Sequence, residues 1–151
     1  MDAYVAGLRL LARRELSEAQ VRDRLTRRRF ETDDIDEAVS RLRRECAIDD
    51  RRTALACARN EAHVKRHGRL RALRQLDAIG IERSTARAAV AEVFGELDED
   101  ALISQALDRR LRGGTPPEDA RVLPRIHRYL LAQGFDPARV NAVMKVRGFR
   151  L

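Results

Sequence analysis

An internal repeat limits this chain more than any other feature. Displacing the sequence by 51 residues sets Leu25 on Leu76, Phe30 on Ile81, Ala38 on Ala89 and Val39 on Val90. A further 54 residues carries the same positions onto Leu130, Phe135, Val143 and Met144. Each copy reads as a helix ending in leucine, a tight connection, an apolar plug five residues later (Phe30, Ile81, Phe135), and a helix with an apolar pair eight and nine residues beyond the plug. Gly80 and Gly134 precede the plug, where a positive φ closes the turn without a Cβ penalty. The first copy has Arg29 at that position, which is expected to weaken its turn or change the turn geometry.

Helical spacing runs almost throughout, and strand alternation is nearly missing from the sequence. Val5, Leu8, Leu11 and Ala12 mark one face of a first helix. Ser17 reads as the N-cap of a second helix with Val21 and Leu25 inside, ending near Arg28. Thr32 or Asp33 caps a third, whose stripe is Ile35, Ala38, Val39, Leu42 and Cys46. By the repeat, Ser17, Gly68 and Val122 are equivalent helix starts. Pro124 therefore falls in a first helical turn, where its missing N–H costs little, and Asp136-Pro137 reads as N-cap and N1 of the last helix. The first helix of the second copy is expected over about Asp49–Arg66 and that of the third over about Leu97–Leu111, with a linker at Gly113–Arg121.

The expected fold is therefore all-α: three tandem three-helix repeats, 1–47, 48–95 and 96–151, forming an elongated, curved, solenoid-like array. A unit of about 50 residues is marginal alone and gains stability by stacking on its neighbours. Such an array offers a long surface rather than a closed pocket. No run approaches the ~20 uncharged apolar residues of a membrane span, and no export signal is read at the N-terminus. The chain is expected to be cytoplasmic and monomeric, with Cys46 and Cys57 reduced.

Groups able to carry catalysis are few: three histidines, two cysteines and no tryptophan among 151 residues. Cys46, Cys57, His63 and His67 invite a zinc reading, but Cys57 lies ~120° and ~80° around the helix from the two histidines. The cysteines read instead as small apolar residues and the histidines as solvated. Asp33-Asp34, Asp49-Asp50 and Asp98-Glu99-Asp100 lie at helix starts, where carboxylates cap N–H groups. No phosphate-binding loop or nucleophile motif is present, so neither an enzymatic activity nor a cofactor or metal is expected.

Charge is more informative. The chain holds 31 Lys+Arg against 24 Asp+Glu, a net +7, and only Lys65 and Lys145 are lysines. A GC-rich genome is one reading of the arginine content, but it does not set the sign of the charge, which favours a polyanionic partner. Residues 48–95 carry ten basic residues against six acidic, the largest excess of the three copies. Within them, Ala62–Leu76 holds Lys65, Arg66, Arg69, Arg71 and Arg74 and no acid, so neutralising partners at i±4 are expected to be lacking. Arg13, Arg14, Arg27 and Arg28 form a secondary set, with a third group at Arg109, Arg110 and Arg112. Phe30, Phe94 and Phe135 read as interior, leaving too few aromatics for base stacking. Any nucleic-acid affinity, for single or double strands, should then be weak, phosphate-driven and salt-sensitive.

The stretches LLARRELSEAQVRDRLTRRRF (Leu10 to Phe30), IDDRRTALACAR (Ile48 to Arg59), HGRLRALRQLDAIGI (His67 to Ile81) and YLLAQGF (Tyr129 to Phe135) resemble the RecX regulatory proteins. The match runs through all three copies. Arg29 departs from the family's usual glycine, and Thr53 and Cys57 stand where larger apolar or aromatic residues are common.

This resemblance implies a non-enzymatic modulator of the RecA recombinase, acting in recombination, repair and the SOS response. Proteins similar to this one have three tandem three-helix units, bind in the groove of the RecA–single-stranded DNA filament, and suppress its ATPase, strand-exchange and coprotease activities. Lys65, Arg66, Arg69, Arg71 and Arg74 are the expected contact set, with Arg13, Arg14, Arg27 and Arg28 secondary. Basic helix–turn–helix units also describe a stand-alone, sequence-nonspecific DNA-binding module. An adaptor for an acidic protein is a third reading.

Overall fold

The computed structural model describes residues 1–111 and 116–150, so Arg112 and the linker positions Gly113, Gly114 and Thr115 lie outside the described residues. All regular structure among the described residues is helical. The described residues form nine α-helices in order: α1 Ala3–Arg13, α2 Glu18–Arg27, α3 Thr32–Arg44, α4 Asp50–Arg59, α5 Arg69–Ala78, α6 Arg83–Gly95, α7 Glu99–Arg110, α8 Leu123–Ala132 and α9 Pro137–Val146. No described helix is long and apolar enough to cross a membrane.

The repeat register holds to the residue. Helices α2, α5 and α8 begin directly after Ser17, Gly68 and Val122. Ser17 closes a capping box, accepting from Gln20 N while the Gln20 side chain accepts from Ser17 N. Pro124 sits in the first turn of α8, and Asp136 caps α9 through Arg139 N with Pro137 as the first helical residue. Asp98 caps α7, which starts at Glu99 rather than Leu97. Thr32 opens α3 instead of capping it; Glu31 holds the cap position without a side-chain bond.

The expected helix over Asp49–Arg66 is interrupted. After α4 the chain widens into a π-helical turn, Asn60–Val64, closed by Lys65 N donating to Asn60 O. Arg66 then turns the chain at φ 57°.

The chain divides into two compact units, Met1–Cys57 with Gln75–Ala89, and Ala58–Arg74 with Val90–Leu151. In the first, α1 and α2 pack on α3 around Leu10, Leu16, Val21, Leu25, Val39 and Leu42. The face α1 buries is Ala3, Ala6, Gly7 and Leu10, while Val5 and Leu8 are exposed. The sequence pattern favoured the larger side chains, but close packing selects the small ones: a Cβ on Gly7 would lie 2.7 Å from Leu42 Cδ1. Cys46, expected at the end of the α3 stripe, lies beyond the helix, exposed, at φ 59°. Thr53 is buried and satisfied, its hydroxyl donating to Glu15 Oε1 at 2.9 Å.

In the second unit α7 packs on α8 and α9 around Ile103, Leu107, Ile126, Leu130, Phe135 and Met144. The plugs Ile81 and Phe135 are buried, whereas Phe30 is half-buried. Arg29 has the same left-handed backbone as its glycine equivalents, with φ 65° against 80° at Gly80 and 94° at Gly134. The turn geometry is therefore unchanged, and the arginine bears a cost of about 1–2 kcal/mol.

Candidate interaction surface

The corner between α4 and α5 is organised by a buried carboxylate. Glu61, in the π turn, is 2 % exposed. Its two oxygens accept from Lys65 Nζ at 2.9 Å and from His67 Nδ1 at 2.5 Å. The peptide N–H of His67 also donates to Glu61 O at 2.8 Å. Burial pushes the Glu61 carboxyl up, but the bonds from His67 and Lys65 outweigh it and hold the group below its ordinary value. An ionised carboxylate accepts only, so His67 is the donor in this pair.

The start of α5 is fixed from a second direction. Gly68 N donates to Gln133 O at 2.8 Å and Leu70 N to Gly134 O at 3.0 Å, so the turn after α8 takes up two of the N–H groups at the helix start. Arg69 Nε donates to Glu99 Oε1 at 2.8 Å, and the Arg69 Cζ lies 5.8 Å from the centroid of the Phe94 ring. Glu99 also meets Arg139 Nε at 3.6 Å.

These contacts sort the arginine-rich segment. Lys65 and Arg69 have carboxylate partners that hold the corner together, which corrects the expectation of an unneutralised run. Glu61 stands one residue outside the acid-free window and at i−4 from Lys65, where the sequence itself could have revealed it. Glu99 is thirty residues from Arg69 and carries no such signal. Arg71 bonds only a carbonyl, Ala132 O, at 3.4 Å, and Arg66 and Arg74 have no carboxylate partner among the described residues. His67, expected to be solvated, is instead bonded to Glu61 with its side chain 12 % exposed.

The secondary set lies in the other compact unit. Arg13, Arg14 and Arg28 are exposed without an ion pair among the described residues. Arg27 meets Asp23 at 3.1 Å in an exposed i,i+4 pair, a geometry worth about 0.3–0.5 kcal/mol. Sequence reasoning also passed over Arg125 and Arg128 of α8. They stand 54 residues after Arg71 and Arg74 at equivalent repeat positions, and both are exposed.

Among the described residues no group of three or more His, Cys, Asp or Glu is arranged to hold a metal ion. Phe94 and Phe135 are buried, and Tyr4 and Tyr129 lie beneath Arg41 and Arg110 at 3.7 and 4.9 Å. The surface thus presents guanidinium groups rather than open aromatic faces.

A family profile described as "RecX, first three-helix domain" matches residues 3–42. The chain is 33 % identical over 138 residues to Regulatory protein RecX of Syntrophotalea carbinolica, covering 91 % of this chain and 90 % of that protein. It is 32 % identical over 144 residues to Regulatory protein RecX of Acidithiobacillus ferrooxidans, covering 95 % and 89 %. The crystal structure of RecX from Lactobacillus salivarius superposes with a TM-score of 0.77 at 20 % identity, covering 95 % of this chain and 93 % of that one, and so shares the fold.

Proposed function

The chain belongs to the RecX family, and from that premise we propose that it is a non-enzymatic regulator of the RecA recombinase. It docks on the RecA–single-stranded DNA filament and lowers recombinase, ATPase and coprotease activity. The docking modules are the three repeats, 1–47, 48–95 and 96–151, and the protein works as a cytoplasmic monomer in repair and recombination.

The observation that supports this reading is a set of guanidinium groups without carboxylate partners among the described residues, presented from a braced helix start. Arg66, Arg71 and Arg74 form the principal contact set, and Arg13, Arg14 and Arg28 the secondary one. Lys65 and Arg69 act behind them by holding the corner. A guanidinium suits an acidic protein face or a phosphate, being weakly hydrated and forked.

The test is RecA's DNA-dependent ATPase with this protein in stoichiometric excess. Inhibition is expected, and an unchanged rate overturns the proposal. A salt series with DNA alone separates the competing reading of a stand-alone DNA-binding module, which requires tight binding without RecA.

A further inference from the structure

Two large apolar side chains are exposed on the braced corner: Val64, at 73 %, and Leu70, at 45 %. They flank Arg66 in the sequence. The backbone between them is tied down at several points. Lys65 N bonds Asn60 O, His67 N bonds Glu61 O, Gly68 N bonds Gln133 O and Leu70 N bonds Gly134 O. The Glu61 carboxylate holds the side chains of Lys65 and His67 from beneath.

We infer that the corner carrying Val64, Arg66 and Leu70 is a protein-docking site, shaped for an acidic surface with apolar side chains at its centre, and is not a nucleic-acid contact. This rests on the regulator reading for the identity of the partner.

Three physical points support it. Surfaces that bind nucleic acid are more polar and more strongly positive than protein interfaces, and a phosphate backbone offers nothing for Val64 or Leu70 to bury against. Arginine is enriched where protein partners meet, and the buried core of such an interface is more apolar than its rim, so Val64 and Leu70 offer a protein partner area to bury beside Arg66. Finally, Arg66 holds a left-handed φ of 57°, a conformation glycine would adopt without strain. The backbone at the tip of the turn is thereby set before binding, and only the Arg66 side chain remains to be ordered. Arg71 and Arg74 of the adjoining helix, without carboxylate partners among the described residues, supply further positive charge that an acidic partner neutralises.

The test uses the full chain and RecA assembled on single-stranded DNA. The double variant Val64→Ser/Leu70→Ser is expected to bind the filament about tenfold more weakly. Its melting temperature should stay within a few degrees of wild type, since Val64 is largely exposed and Leu70 about half exposed, and its salt-dependent binding to DNA alone should be unchanged. Filament binding equal to wild type overturns the inference, as does a parallel loss of DNA affinity. If the double variant fails to fold, Arg66→Gly decides instead: it relieves the strain of the positive φ and removes the guanidinium, so it should melt no lower than wild type yet bind the filament less. Undiminished binding by Arg66→Gly again overturns the inference. A wild-type chain that ignores the filament overturns the regulator reading itself, whereas wild-type binding with unaffected variants overturns only the role of this corner.

Discussion

A β-carbon on Gly134 would overlap that of Arg71, so the turn after α8 meets the first turn of α5 at backbone distance. The same arrangement recurs in the other compact unit, where a β-carbon on Gly80 would overlap that of Ala19 near the start of α2. In each case the turn ending one repeat's second helix supports the start of another's. Glycine is demanded at 80 and 134 both by the positive φ and by this approach. At Arg29 only the φ applies, because its side chain is exposed.

Gly134→Ala should therefore cost about 2–4 kcal/mol, adding overpacking to the left-handed penalty. Arg29→Gly should be neutral or stabilising by up to about 1 kcal/mol, relief of φ being offset by the freer unfolded chain. Urea denaturation midpoints measure both, and equal destabilisation by the two would contradict the steric account.

Ser17→Ala should cost about 2–3 kcal/mol, more than the ~1 kcal/mol of an ordinary N-cap loss. Ser17 is fully buried, and besides capping Gln20 N its hydroxyl donates to Ile79 O, which would be left without that donor. A midpoint shift no larger than that of an exposed cap, such as Asp2→Ala on α1, would show the Ile79 bond to be dispensable.

Glu61→Gln should destabilise by about 1–3 kcal/mol at neutral pH, by weakening the bonds to Lys65 and His67. The carboxyl is held below its ordinary value, so its contribution is present above the unfolded-state value near 4.5 and is lost as pH falls through the lower folded-state value. Melting temperature against pH should thus show wild type and variant converging in acid. A gap that persisted at pH 2 would assign Glu61 a packing role alone.

The arginine-rich segment should separate into two classes. Arg66→Ala/Arg71→Ala/Arg74→Ala should relieve inhibition of RecA ATPase while leaving the melting temperature within a few degrees of wild type. Lys65→Ala/Arg69→Ala should instead lower stability, since it leaves Glu61 and Glu99 under-compensated at 2 % and 8 % exposure. Inhibition assays at 15 °C, where the weakened variant remains folded, should find the second variant close to wild type.

By itself the sequence determined the helical class, the repeat register and the helix starts at Ser17, Gly68 and Val122, because caps, turns and helical periodicity act over a few residues. It also located the positive segment around α5. Tertiary structure decided which face α1 buries, since Ala3, Ala6 and Gly7 are selected by how closely α3 approaches and not by hydrophobicity. It likewise decided which cations have carboxylate partners. Arg69 meets Glu99 across thirty residues, and the Glu61 carboxylate becomes a brace only when a π turn buries it beside Lys65 and His67. Charge along a chain is additive, whereas ion pairing depends on distances that folding alone sets.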